Sequence, residues 1–90
     1  MIDIYAYIKK ERTYLGSIKE DEYLSLLPAF QDFYKKTGLM IEEYSSTYVS
    51  GELIKVLIEI FEKKEIEADD LNILLNDYAI PEYRIEFVGD

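Results

Sequence analysis

The chain has no cysteine and no histidine, and only two prolines and four glycines in 90 residues. Without cysteine there are no disulfides, no thiolate nucleophile and no cysteine metal site. Without histidine it lacks the side chain best suited to proton transfer near neutral pH and the commonest transition-metal ligand. Catalysis would have to rest on carboxylates, lysine, tyrosine or serine, and nothing in their spacing favours it. The expectation is therefore a binding protein without enzymatic activity or cofactor. No apolar run approaches the roughly 20 residues of a membrane-spanning helix. The start, MIDIYAYIKK, lacks the charged, apolar and small-residue order of a signal peptide. Both features point to a cytoplasmic protein with no membrane partner.

What is present suits one domain spanning residues 1–90. Apolar types make up 49% of the chain and aromatics 14%, enough for one modest core. Net charge is −9, unevenly placed: residues 1–45 carry −2 and residues 46–90 carry −7, with Arg84 the only base after Lys64. Such a field repels nucleic acid and attracts basic proteins. It also keeps small proteins soluble, which is the plainer reading of an acidic surface.

Residues 2–8 alternate with period two. Ile2, Ile4, Ala6 and Ile8 fall on one side and Asp3, Tyr5 and Tyr7 on the other, predicting a half-buried strand. A turn over Lys9–Arg12 and a return strand over Thr13–Ile18 complete a hairpin. Its expected register pairs Ile8 with Thr13, Ala6 with Leu15, Tyr7 with Tyr14 and Tyr5 with Gly16. From Lys19 to Thr37 the period becomes helical, through Tyr23, Leu26, Leu27, Phe30 and Tyr34, and Gly38 supplies a stop. Pro28 should kink or restart that helix. Residues 39–49 read as a third strand, with Glu42, Tyr44, Ser46 and Tyr48 on one side; the other side, Ile41, Glu43, Ser45, Thr47 and Val49, is only partly apolar, which suggests an edge strand or a strand giving way to a loop. Ser50 is the expected cap of a helix over residues 51–64 with an apolar stripe of Leu53, Val56, Leu57, Ile60 and Phe61. Asp69 and Asp70 open a shorter helix with Leu71, Leu74, Leu75 and Tyr78 inward. Tyr83, Ile85 and Phe87 then alternate with Arg84, Glu86 and Val88 in a closing strand. The order ββαβααβ implies an α+β two-layer sandwich, a mainly antiparallel sheet with helices on its isoleucine face and the other face open.

Two surfaces stand out. The open face carries Tyr5, Tyr7 and Tyr14, joined by Tyr44 and Tyr48 if the third strand pairs as expected. Tyrosine offers large contact area and a polar tip at low entropic cost, so it is enriched at interfaces. The same rings could instead pack on one another and shield the sheet. The second surface is the acidic tail: Asp69, Asp70, Asp77, Glu82, Glu86 and Asp90 could imitate a run of phosphates and enter a basic groove. The plainer alternative is helix capping by Asp69 and Asp70 and solvated faces elsewhere. Asp69, Asp70, Asn72, Asn76 and Asp77 do not match an EF-hand loop, so no metal is expected. A carboxylate pair for hydrolysis would need a cleft for which so short a chain leaves little room.

The segments IDIYAYIKKERTYLGSI, EYLSLLPAFQDFYKKTGLMIEEYSSTYVS and IEFVGD resemble, in their general pattern, small immunity proteins of bacterial polymorphic toxin systems, including contact-dependent growth inhibition. The likeness lies in a strand hairpin, an "LLP" helix ending in "KTG", an extended segment, a further helix and a closing "EF-x-GD". It implies a cytoplasmic, non-catalytic protein that binds and neutralises a toxin domain, often a nuclease, which suits the charge. Binding surfaces diverge among immunity families, so the resemblance assigns no contact residue. A second expectation from charge alone is a phage-type acidic nucleic-acid mimic that inhibits a defence nuclease, and a third is a carboxylate-dependent enzyme.

Overall fold

A computed structural model describes residues 1–66 and 68–89, the side chain of Asp69 excepted. The elements follow the expected order: β1 (Ile2–Ile8), β2 (Glu11–Ile18), α1 (Glu20–Thr37), β3 (Ser46–Ser50), α2 (Gly51–Lys63), α3 (Asp69–Asn76) and β4 (Arg84–Gly89). The four strands form one sheet in the order β2-β1-β4-β3, every neighbouring pair antiparallel. The α+β sandwich expected from the period changes is the fold.

The inner face of the sheet meets the helices. Ile2, Ile4 and Ala6 of β1, Val49 of β3, and Ile85 and Phe87 of β4 are buried in one cluster with Phe30 and Phe33 of α1 and Ile54, Leu57 and Phe61 of α2. Phe30 and Phe61 meet edge to face, 6.2 Å between ring centres. Helix α1 runs unbroken through Pro28, which neither stops nor restarts it. Leu24, whose carbonyl loses its partner to the proline, and Pro28 itself are exposed, so water can take the unpaired oxygen. Gly38 ends the helix in the left-handed conformation (φ 79°), its N–H donating to the Tyr34 carbonyl at 2.8 Å.

Four local expectations are corrected. The hairpin turn is two residues, Lys9 and Lys10, with Lys9 at φ 55°, so Ile8 faces Glu11 rather than Thr13. Tyr7 therefore pairs with Arg12 and Tyr5 with Tyr14. A shift by two residues preserves the faces, so Tyr14 still lies with Tyr5 and Tyr7. The second correction is an irregularity between Ile4 and Tyr5, where β2 carries Leu15 as an extra residue. This bulge reverses the parity of β2, keeping Arg12 and Tyr14 outward while Ile18 turns into the core, 2% exposed.

The third concerns β3, which covers only Ser46–Ser50. Residues 39–42 lie in no regular element, and residues 43–45 turn. Side chains and a neighbouring strand satisfy this segment: the Tyr23 hydroxyl donates to the Ile41 carbonyl (3.0 Å), the Thr47 hydroxyl to Met40 (2.7 Å), and the Gly89 N–H to Ser45 (3.0 Å). Burial holds the Tyr23 phenol above its ordinary pKa, with the nearby Glu43 and Glu42 charges adding to the effect. The fourth concerns Ser50, which precedes α2 but makes no side-chain cap bond. The Gly51 N–H donates instead to the Tyr83 carbonyl (2.8 Å). A side chain at Gly51 would collide with the Ile80 backbone, so this close crossing requires glycine.

Candidate functional site

The outer face of the sheet is a lattice of cross-strand rows read from β2 to β3. Its central row is Tyr14, Tyr5, Glu86 and Tyr48, and the next toward the hairpin turn is Arg12, Tyr7, Arg84 and Ser50. On the other side lie Ser17, Asp3, Val88 and Ser46. Directly opposed side chains in such rows approach within contact distance. The face thus combines four tyrosines, two arginines and one central carboxylate.

Glu86 organises the middle. Although it belongs to a face that no helix covers, it is only 7% exposed, the single buried charged residue among those described. The Tyr7 hydroxyl donates to its Oε1 at 2.7 Å and the Arg12 guanidinium to the same oxygen at 3.3 Å. Burial alone would raise the Glu86 pKa. The Tyr7 and Tyr48 hydroxyls and the Arg12 charge outweigh it and hold the carboxyl below the ordinary glutamate range. The same hydrogen bond, with burial adding to it, holds the Tyr7 phenol above its ordinary value.

The rings and guanidinium groups interleave. Arg12 lies 3.6 Å over the Tyr5 ring and 5.8 Å from the centre of Tyr7. Arg84 lies 4.7 Å from the Tyr48 ring centre and 5.3 Å from that of Tyr7. Tyr5 meets Tyr14 edge to face at 5.4 Å, and Tyr7 meets Tyr48 at 6.1 Å. These separations fall within the range of attractive cation–π and aromatic contacts. Tyr14 (55%) and Tyr48 (47%) remain exposed, so their mutual packing does not consume the surface.

Four of the five expected tyrosines, Tyr5, Tyr7, Tyr14 and Tyr48, therefore share one face, and Tyr44 stands apart. It sits in the turn before β3, 79% exposed, because the strand it was expected to occupy begins only at Ser46. The acidic residues do not form one surface with Glu86. Asp70 is exposed in the first turn of α3, and Asp77 and Glu82 are exposed at its far end and in the turn before β4. Glu86 is engaged by Tyr7 and Arg12 and is no free anion, which corrects its placement among solvent-facing carboxylates. The Asp69 side chain and Asp90 lie outside the described residues.

A groove of about 600 Å³ opens between β2, α1 and α3, with Ile18, Leu26, Leu71 and Leu74 among its walls and Glu22 and Asp70 beside them. No helix is long and apolar enough to cross a membrane among the described residues.

Sequence reasoning missed the arginines. Assigning Arg12 to the turn removed it from the sheet, and placing Arg84 with Glu86 on one side of the closing strand did not reveal that Tyr7 and Tyr48 lie beside it. The alternation of Arg84 and Glu86 with Ile85 and Phe87 is the signal that places both on the tyrosine side. No protein-family model, curated protein or solved structure matches this chain.

Proposed function

We propose that this protein is a cytoplasmic immunity protein that binds and neutralises a cognate toxin domain, of the nuclease type, without performing a chemical step. The observation that carries the reading is the uncovered sheet face with Tyr5, Tyr7, Tyr14 and Tyr48 set among Arg12 and Arg84. Tyrosine and arginine are the residue types most enriched at binding hot spots. Burying this surface against a partner removes aromatic area from water, and the rings are already ordered by their neighbours, so little rotamer entropy is lost. The overall charge of −9 adds long-range attraction for a basic partner, which speeds encounter. Docking and steering then belong to different surfaces. The anionic helices guide the partner, and the tyrosine face holds it at the active site or substrate groove.

The nucleic-acid mimic needs a continuous row of solvent-facing anions. Glu86 is buried, and Asp70, Asp77 and Glu82 are spread over α3 and the turn that follows, so the mimic has less support than the docking face. The deciding experiment mixes the purified protein with the toxin domain encoded by the adjacent gene. Stoichiometric loss of toxin activity is expected, with an association rate that falls as salt is added. Undiminished activity at equal concentration refutes the reading.

A further inference from the structure

Arg12 and Arg84 occupy one row of the open face on either side of Tyr7, yet they are not equivalent. Arg12 is held by Glu86, with Nη2 3.3 Å from Oε1. Arg84 has no carboxylate within salt-bridge distance among the described residues. It lies beside the rings of Tyr7 and Tyr48 and is exposed. Two rings thus flank a planar, charged fork whose N–H groups make no side-chain hydrogen bond among the described residues. This is the arrangement that recognises a planar anion, because a guanidinium flanked by rings keeps donors free and loses little entropy on binding. Resting on the docking face proposed above, we propose that Arg84 is the specificity residue of that face and receives an aspartate or glutamate side chain of the protein partner.

The alternative occupant of an aromatic and basic sheet is single-stranded nucleic acid, whose bases stack on open ring faces. Here guanidinium groups lie against the rings of Tyr5, Tyr7 and Tyr48, and Tyr14 meets Tyr5 edge to face. A chain of net charge −9 also repels a polyanion, whereas one carboxylate on a basic protein is carried in by its surroundings. A single acid on a cationic partner satisfies both the global attraction and the local cation.

Titrating isotope-labelled protein with N-acetyl-Lys-Gly-Asp-Gly-Lys-amide, which carries its acid on a cationic peptide, with the Asn-for-Asp peptide as control, tests the assignment by nuclear magnetic resonance. The aspartate peptide should shift the Arg84 Nε–H resonance saturably and the asparagine peptide should not. In R84M, which keeps the aliphatic stem, binding should weaken at least about tenfold, as expected for losing a charge-assisted hydrogen bond. R84K, keeping charge without the fork, should fall between R84M and the original protein. Arg84 is exposed, so these variants should fold. Equal shifts from both peptides, shifts spread evenly over all lysines and arginines, or unchanged binding in R84M would overturn the proposal. So would saturable binding of a short oligothymidylate to the tyrosine face more tightly than the peptide. The titration uses the free protein, so its failure beside intact toxin inhibition removes only the carboxylate. Its success beside an uninhibited toxin removes only the toxin reading.

Discussion

On its inner side the sheet presents Ile2, Ile4, Ala6, Val49, Ile85 and Phe87, and on its outer side Tyr5, Tyr7, Tyr14, Tyr48, Arg12, Arg84 and Glu86. The same strands build both faces by alternation, but different forces hold them. The inner side gains by excluding water from aliphatic and aromatic surface, a non-directional effect that rewards volume and close packing. The outer side gains little from exclusion and relies on oriented contacts: a phenol on a carboxylate, a guanidinium on a ring, each with a preferred geometry. In the proposed reading such a face suits a partner, because its side chains are fixed before binding.

Breaking the inner side should have the largest effect on folding. Phe30 is fully buried against Tyr23 and Phe61, so Phe30→Ala should cost about 3–5 kcal/mol in a urea unfolding titration, the range for deleting a buried ring. A loss below about 1 kcal/mol would mean that the helices are not seated on the sheet as described.

Removing Glu86 should cost less, about 2 kcal/mol for Glu86→Ala, because it strips the Tyr7 hydroxyl of its acceptor and Arg12 of its partner. This site also predicts a pH response. The folded-state pKa of Glu86 is lowered, so its contribution is full above the unfolded glutamate value and disappears as pH falls through the lower folded value. The acid limb of the stability profile should be shallower for Glu86→Gln than for the original protein. Tyr7 has the opposite sign: its pKa is raised, so its contribution persists below the unfolded phenol value and is lost as alkaline pH passes through the folded one. Profiles that superimpose for Glu86→Gln and the original would show that the buried carboxylate is not the organiser.

The smallest expected effect on stability comes from the rim. Tyr48→Ser should cost about 1 kcal/mol or less in unfolding, the scale of its ring contacts with Tyr7 and Arg84. Its effect on partner affinity should reach about 2 kcal/mol if the ring is a hot spot. Equal loss of stability and affinity would assign the tyrosines to shielding the sheet.

Alternation over residues 2–8 and 83–88, and helical spacing in α1 and α2, make the two layers legible in the sequence. These segments bury one side, and burial imposes a period that a sequence cannot hide. The hairpin register is less legible, because Lys9-Lys10 lacks the glycine or asparagine that announces a two-residue turn. The bulge at Leu15 has a faint signal: Tyr14 and Ile18 are four apart, so an unbroken strand would put them on one face, yet one suits the surface and the other the core. The break before Ser46 has a partial signal in the mixed side Ile41, Glu43, Ser45, Thr47 and Val49, but its position has none, since the Met40 and Ile41 carbonyls find their partners in the side chains of Thr47 and Tyr23. The candidate site is half legible for the same reason. Its tyrosines follow from alternation, whereas the fate of Glu86 depends on which arginine and which phenol tertiary pairing brings beside it.

In the proposed function the tyrosine face holds the partner while the acidic helices only steer it. Hydrogen–deuterium exchange of the protein alone and in complex with the adjacent-gene toxin domain tests this directly. Protection should concentrate on β1, β4 and β3 around Tyr5, Arg84 and Tyr48, with α3 unchanged. Protection confined to α3 and the turn bearing Asp70, Asp77 and Glu82, with β1, β3 and β4 exchanging as in the free protein, would contradict it.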